Sequence, residues 1–374
     1  MIAMESNMQE EHPQGRVPSI VRAVAILEEV ASSSHPTNLA DLTRQVGLPK
    51  STVYAVSQAL VAERFLTRGA DGSYRLGPAI AELSAARRQR GATVHSIGIS
   101  VPNSTNAFFD AEIAAARAEA LAIGADFDHR AANQDVEQQN RDIVELADSG
   151  VELLIVDPVA SHGLEDVLAR ARARGVTIVS VNGATAGADA TIVTDNAQAG
   201  ALVARHLADR LEGHGRVAIV GGSPVTAITD RIEGFRQALA DNPAMSIVTI
   251  EPGDNSRQAG RVAARRILET IPGVTGIFAI NDPTALGVID MLDHIAHPPM
   301  VVSVDGSPEA AALIASGGPL TATAAQEPQR LASTAVRVGI GLANGTTMPG
   351  RTLTLPTRLV THDDVSTYEP WGAS

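Results

Sequence analysis

The sequence predicts a multidomain protein in which a small winged helix-turn-helix, mostly α with a β wing, precedes an α/β two-lobed fold with Rossmann-like lobes and parallel sheets. Three observations carry this. At 374 residues the chain is too long for one compact core. From Val94 onward buried-type strands alternate with helices across short connections, the pattern of parallel sheets covered by helices on both faces. The charge is also split. Residues 16–90 carry ten basic and six acidic side chains, net +4, against −14 from Gly91 on and −3 in residues 1–15. A basic module joined to an acidic body points to a polyanion partner for the module alone.

Composition narrows the chemistry. With no cysteine, disulfides, thiolate metal sites and a cysteine nucleophile are excluded. Lys50 is the sole lysine, so the body lacks the amine that a Schiff-base enzyme or a Walker-type nucleotide site requires. The ten histidines show no metal-ligand spacing. No apolar run reaches the length of a membrane span and the first fifteen residues are polar and acidic, so neither a signal peptide nor a membrane segment is expected. The expectation is a cytoplasmic protein with no catalytic residues, no metal, no cofactor and no membrane partner.

Residues 1–15 have the composition of a disordered leader. Pro18 opens a first helix with Ile20, Val24, Leu27 and Ala31 as its expected buried face. Asn38 is placed to cap a second helix with Leu39, Leu42 and Val46 inward. Gly47-Leu48-Pro49 turns the chain into a third helix, about Lys50 to Glu63. Its inward positions are Val53, Val56 and Leu60, which leaves Lys50, Ser51, Thr52, Tyr54, Ala55 and Gln58 outward. FLTR and SYRL around Gly69–Gly72 then read as a hairpin, closing a winged helix-turn-helix over residues 16–77.

VPSIVRAVAILEEVASSS, NLADLTRQVGLPKSTVYAVSQALVAERFLTR and GSYRLGP together resemble the DNA-binding domain of the IclR family of bacterial transcription regulators, most distinctively at GLPKSTV. The expected double-stranded DNA contacts are Lys50, Ser51, Thr52, Tyr54 and Gln58 on the groove-entering helix, with Arg68 and Arg75 on the hairpin reaching phosphates. The alternative is a protein-interaction module whose charges are merely solvated. Residues 78–93, with an apolar start and a basic end, form a linker helix; Ile80 and Leu83 serve either a dimer seam or packing on the wing.

The body starts with VHSIGISVPNSTNAFFDAEIAAARAEALAIG: a buried strand (Ile97, Ile99, Val101), a polar turn with Phe108-Phe109, and an Ala-rich helix closed by Gly124. The turn falls at the C-terminal edge of a strand, where open α/β sheets bind ligands. Further strands are read at VELLIVDP, VTIVSVN, ATIVTDN, RVAIVGG, SIVTI, GIFAINDP, MVVSVDG and TATAAQ. LLIVDP is echoed by GIFAINDP and VSVNG by VSVDG, so each lobe ends two strands in polar side chains, and the two rims would face each other across a cleft.

This architecture, over roughly 265 residues, resembles the type I periplasmic-binding-protein-like domains: the ribose-binding proteins and the sensor domains of the lactose-repressor family. The resemblance implies ligand contacts at Asn106, Phe108, Phe109, Asp157 and Asn182 from lobe 1 (about 94–194 and 327–355), and at Arg231, Asn281, Asp305 and Gln326 from lobe 2 (about 195–326). The chemistry suits a sugar or polyol, because carboxylates and amides grip hydroxyl pairs and aromatic faces cover apolar C–H surface. Gly183 stands where ribose binders carry an arginine, and Asn255 and Val304 where they carry aromatics, which disfavours ribose itself. The tail, 363–374, stays open between packing on the body and hanging free.

The whole implies a bacterial transcription regulator, in the sense of a repressor, working as a homodimer or a pair of dimers, whose operator affinity follows sugar-driven closure of the lobes. The alternatives are a sugar-binding protein or a sugar-modifying enzyme with the front domain used only for protein interaction.

Overall fold

The computed structural model describes residues 18–33, 36–69, 71–80, 82 and 94–372. The expected leader (1–15) and nearly all of the linker helix (78–93), Leu83 included, lie outside the described residues. The chain divides into two compact units, Met1–Ala92 and Thr93–Ser374.

The first unit consists of α1 (Pro18–Ser32), α2 (Leu39–Val46), α3 (Lys50–Ala62) and an antiparallel hairpin, β1 (Leu66–Arg68) with β2 (Tyr74–Leu76). The Asn38 side chain accepts from the amides of Ala40 and Asp41 at 2.9 and 3.0 Å, and so starts α2. Gly47 ends that helix in the left-handed region at φ 67°, a conformation a Cβ would penalise. The core gathers Ile26, Val30, Leu42, Val53, Leu60, Leu66 and Tyr74. Two expectations are corrected here. The buried face of α1 is Ile26 and Val30, flanked by Ala23 and Leu27, whereas Ile20, Val24 and Ala31 are exposed. The helix has apolar residues on most sides, so spacing alone selects no single stripe. Gln58 also does not point freely outward; it is half-buried, and its amide approaches the Tyr74 hydroxyl at 3.5 Å.

The second unit holds two six-stranded sheets. In chain order its elements are β3 (Ser96–Val101), α4 (Ala107–Ala122), β4 (Asp126–Ala131), α5 (Val136–Asp148), β5 (Leu153–Val156), α6 (Glu165–Ala173), β6 (Thr177–Val181), β7 (Ala190–Thr194) and α7 (Asn196–Arg210). There follow β8 (His214–Val220), α8 (Thr226–Leu239), β9 (Ala244–Glu251), α9 (Arg257–Thr270), β10 (Gly276–Ala279), α10 (Asp282–Ile289), β11 (Met300–Asp305), α11 (Pro308–Ala315), β12 (Leu320–Ala325), α12 (Pro328–Ala343), β13 (Arg351–Leu355) and β14 (Arg358–Thr361). The sheets run β13-β7-β6-β5-β3-β4 and β14-β12-β11-β10-β8-β9, and every pairing is parallel except that of β14 with β12.

The chain passes from one sheet to the other after β7, after β12 and after β13, so three strands of backbone form the hinge. The Asp195 amide donates to Leu355 O at 2.8 Å and ties two of these crossings together. The central strands β5 and β10 are buried along their whole length, as strands covered by helices on both faces must be. Edge strand β4 carries Asp126, Asp128, His129 and Arg130, and so offers no apolar run by which to recognise it. Beyond β14 the tail packs: Tyr368 donates to Gly306 O at 2.5 Å and Trp371 is buried.

Candidate functional site

The C-terminal ends of the parallel strands in both sheets face one cavity, and all nine ligand-contact positions expected from the sequence line it: Asn106, Phe108, Phe109, Asp157, Asn182, Arg231, Asn281, Asp305 and Gln326. Topology explains the convergence. In a parallel sheet every strand delivers its C-terminal residue to the same edge, so Asp157 after β5, Asn182 after β6, Asn281 after β10 and Asp305 ending β11 meet, although widely spaced in the chain.

Each lobe presents a carboxylate with an amide locked onto it. In the first, Asn182 Nδ2 donates to Asp157 Oδ2 at 3.0 Å. In the second, Gln326 Nε2 donates to Asp305 Oδ1 at 2.7 Å. Since a carboxylate only accepts, both amides are oriented, and their carbonyl oxygens, Asn182 Oδ1 and Gln326 Oε1, are buried with no protein partner. Arg231, on α8 and buried, spends Nε on Asn196 Oδ1 (2.8 Å) and Nη1 on Ile280 O (2.9 Å), with Asp305 Oδ1 at 3.6 Å from the same Nη1. Asn106 caps α4 through Phe108 N, and Asn281 caps α10 through Thr284 N while donating to Asn255 O. These two asparagines shape the wall with part of their hydrogen-bonding capacity already used.

Phe108 and Phe109 line the cavity and belong equally to the core of the first lobe, so the two readings of that pair coincide. Val304 does not face the cavity; it is buried in the core of the second lobe, because strand alternation turns the residue before Asp305 away from the ligand side. Gly183 does line it, and a Cβ there would sit 3.0 Å from Pro158 Cγ, so the wall has closed over the place of a longer side chain.

The backbone is strained where the cavity is. Gln134, Asn182, Asn255 and Asp305 all line it at positive φ, 62°, 62°, 69° and 134°. Non-glycine residues hold such angles only where surrounding contacts over-determine them. Contacts across the cleft also join the lobes directly: Thr226 N donates to Ser161 Oγ at 2.9 Å and Ala184 N to Thr226 Oγ1 at 3.3 Å.

Three further side chains support this site: Asp282 belongs to the polar strand end GIFAINDP read from the sequence, whereas Trp371 and Glu112 escaped sequence reasoning. Trp371 donates from Nε1 to Asp305 O and stands edge-on to Phe108, with ring centroids 5.7 Å apart. Asp282 accepts from Ser303 Oγ (2.5 Å), Thr323 Oγ1 (2.9 Å) and Ser307 N (2.6 Å), and its burial beside Asp305 raises its pKa. Glu112, on the buried face of α4, meets no N–H donor among the described residues; the group against it is the Asp157 carboxyl. Burial first, then that second carboxyl, push Glu112 well above the carboxylate range. Its one sequence signal is an acid four residues after Phe108, on the otherwise apolar buried side of the helix. Burial also raises Asp157 and Asp305 to about 7, against the lowering effect of Asn182 on the first and of Arg231 on the second.

On the first unit, Lys50, Ser51, Tyr54, Arg68 and Arg75 are exposed, Thr52 is half-buried, and Lys50 to Thr52 form the first turn of α3. The hairpin does not bring its two arginines together: Arg75 pairs with Thr67 on one face, while Arg68 pairs with Tyr74 on the other, its guanidinium 5.9 Å from the Tyr74 ring centre.

Comparison with known proteins agrees with both halves. Residues 97–347 match the model of the periplasmic binding protein domain. The chain belongs to that family. Residues 19–70 match the IclR helix-turn-helix domain, fused in front of the periplasmic binding protein domain. The ribose import binding protein of Bacillus subtilis is 29% identical over 269 residues, 71% of this chain and 87% of that one. The xylitol-binding protein of Mycolicibacterium smegmatis is 26% identical over 242 residues, 63% of this chain and 64% of that one. Among solved structures, a solute binding protein from Mycobacterium smegmatis with bound glycerol has a TM-score of 0.71 at 29% identity, covering 75% of this chain and 100% of its own. One from Bacillus halodurans with bound myo-inositol has a TM-score of 0.68 at 25% identity, covering 75% and 98%. Among the described residues no helix is long and apolar enough to cross a membrane.

Proposed function

We propose that this chain is a ligand-responsive DNA-binding regulator: the periplasmic binding protein domain takes a sugar or polyol between its lobes, and the IclR-type unit reads double-stranded operator DNA. The observation that carries the reading is the convergence of polar side chains from separate strand ends and helix starts on one cavity, in a chain that also carries a helix-turn-helix. The relatives named for ribose and xylitol, and the neighbours with bound glycerol and myo-inositol, support a polyhydroxylated ligand. Lys50, Ser51, Thr52, Tyr54, Arg68 and Arg75 are the proposed DNA contacts, with Gln58 in a positioning role against Tyr74. Asp157, Asn182, Arg231, Asp305 and Gln326 are the proposed polar ligand contacts, with Phe108 and Phe109 as the apolar wall. Ligand held by both rims favours the closed cleft, and closure in a homodimer shifts operator affinity in the manner of a repressor.

A thermal-shift panel of pentoses, hexoses, deoxy sugars and linear polyols, followed by gel-shift titration of the promoter region with the best hit, tests both halves. A stabilising ligand that also changes operator affinity is the expected result. A ligand that binds tightly and leaves DNA affinity unchanged refutes the regulatory half. A chemically altered sugar recovered after incubation would make the body an enzyme.

A further inference from the structure

The cavity is lined and backed by more carboxyl groups than cations. Four carboxyl groups stand at or directly behind its wall: Asp157 and Asp305 in the lining, Glu112 against Asp157, and Asp282 beside Asp305, each no more than 3% exposed. Among the described residues the only cationic side chain that lines it is Arg231, whose Nε and Nη1 are engaged by protein acceptors and whose Nη2 is left over. The Asn182 and Gln326 amides have each turned an N–H onto a carboxylate, and their carbonyl oxygens are buried with no partner among the described residues. Where an arginine would add a second cation, Gly183 is packed against Pro158.

Buried charge of one sign is costly unless something of the other sign meets it. Hydroxyl groups satisfy acceptors but leave the charge imbalance as it was. An ammonium group does both, donating up to three hydrogen bonds while neutralising a carboxylate. Phosphate or carboxylate on a ligand would add to the excess of negative charge.

Building on the sugar or polyol reading, we propose that the cleft prefers a polyhydroxylated ligand bearing a protonated amine, an amino sugar or amino polyol, held at the Asp157 side, and that it rejects sugar phosphates and sugar acids. Burial of Asp157 and Glu112 supports this, since it lifts both carboxyls out of their usual range when no cation is present. A bound ammonium would let Asp157 ionise in place.

The test uses the full chain at pH 7.5 and matched pairs differing by amine against hydroxyl: glucosamine and glucose, galactosamine and galactose, 1-amino-1-deoxysorbitol and sorbitol. Gluconate and glucose 6-phosphate are the anionic probes, and affinities are measured by calorimetry. The expected result is at least one amine bound tenfold or more tighter than its hydroxyl partner, with the anions inert. In Asp157→Asn, which removes the carboxyl that lines the wall and keeps its shape, that ratio falls at least threefold. If a neutral member binds as tightly as its amine, or an anion binds best, the inference is overturned and the sugar reading stands. If no probe binds, both fall together. Should Asp157→Asn fail to fold, the wild-type ratios decide alone.

Discussion

The indole N–H of Trp371 donates to the carbonyl oxygen of Asp305 at 2.9 Å. Its ring meanwhile stands edge-on to Phe108, centroids 5.7 Å apart. Asp305 ends a strand of the second sheet and Phe108 starts a helix packed on the first, so Trp371, in the tail beyond β14, touches the cavity wall of both lobes. Asp305 holds φ 134°, an angle that costs free energy, and the indole bond is one of the contacts that keep it there.

Trp371→Ala therefore lowers unfolding free energy by roughly 3–5 kcal/mol, the usual range for removing a buried tryptophan. Trp371→Phe keeps most of the packing but leaves Asp305 O without its donor, at a cost of about 1–3 kcal/mol. Urea unfolding followed by circular dichroism measures both. Because Trp371 is the only tryptophan, its fluorescence in the wild-type chain reports directly on this wall, and ligand addition should change it.

Arg231 and Asp305 are a buried charge pair whose separation of 3.6 Å leaves each dependent on other partners as well. Removing Arg231 alone strands Asp305, so Arg231→Ala destabilises by about 3–5 kcal/mol. The combined Arg231→Ala, Asp305→Ala variant is expected to lose less than the sum of the single losses, by about 0.5–3 kcal/mol. It should also lose its ligand-induced thermal shift while gel-shift affinity for operator persists. Additive losses would show that the two side chains act independently.

Stability should fall as pH rises from about 4 to 8. Asp157 and Asp305 titrate near about 7 in the folded protein against an ordinary 3.8, and Glu112 and Asp282 are raised too, so the folded state holds protons that the unfolded state has released. This contribution is complete below the unfolded value and is lost as pH climbs through the folded one. Facing this set are Arg231 on α8, which opposes the rise, and Tyr368 in the tail, itself raised by burial and set among Asp282, Asp305, Arg358 and Glu327. The Tm at pH 5.5 should exceed that at pH 8, and Asp157→Asn should flatten the difference. An unchanged slope in that variant would place the titration elsewhere.

Lys50 opens α3 on the exposed side of the first unit. As a phosphate contact, Lys50→Ala weakens binding to all DNA sequences alike and reduces the slope of log K against log salt by about 1. A change confined to one base position would instead make Lys50 a base reader.

Much of this was legible in the sequence, for physical reasons that differ by element. Periodicity exposes a strand buried on both faces, so β5 and β10 announce themselves as LLIV and GIFA, while edge strand β4, written DFDHRA, does not. Polar residues at strand ends mark the cavity because parallel topology carries all such ends to one edge, and Asp157, Asn182 and Asp305 were found that way. The face of α1 could not be chosen, because an apolar helix has several candidate stripes and only the partner surface selects Ile26 and Val30 over Ile20 and Val24.

By itself, then, the sequence determined the two modules, the alternating fold and the polar strand ends at the cleft, which follow from local pattern and chain connectivity, while the full list of cleft residues is what the resemblance to the ribose-binding proteins implies. Tertiary structure alone decided how those residues are employed. It set Glu112 against Asp157, turned the Asn182 and Gln326 amides onto carboxylates, sent Val304 into the core and brought Trp371 back to Asp305. Such outcomes depend on which groups far apart in the chain become neighbours, and on the burial that changes their charge, and neither is encoded at any one position.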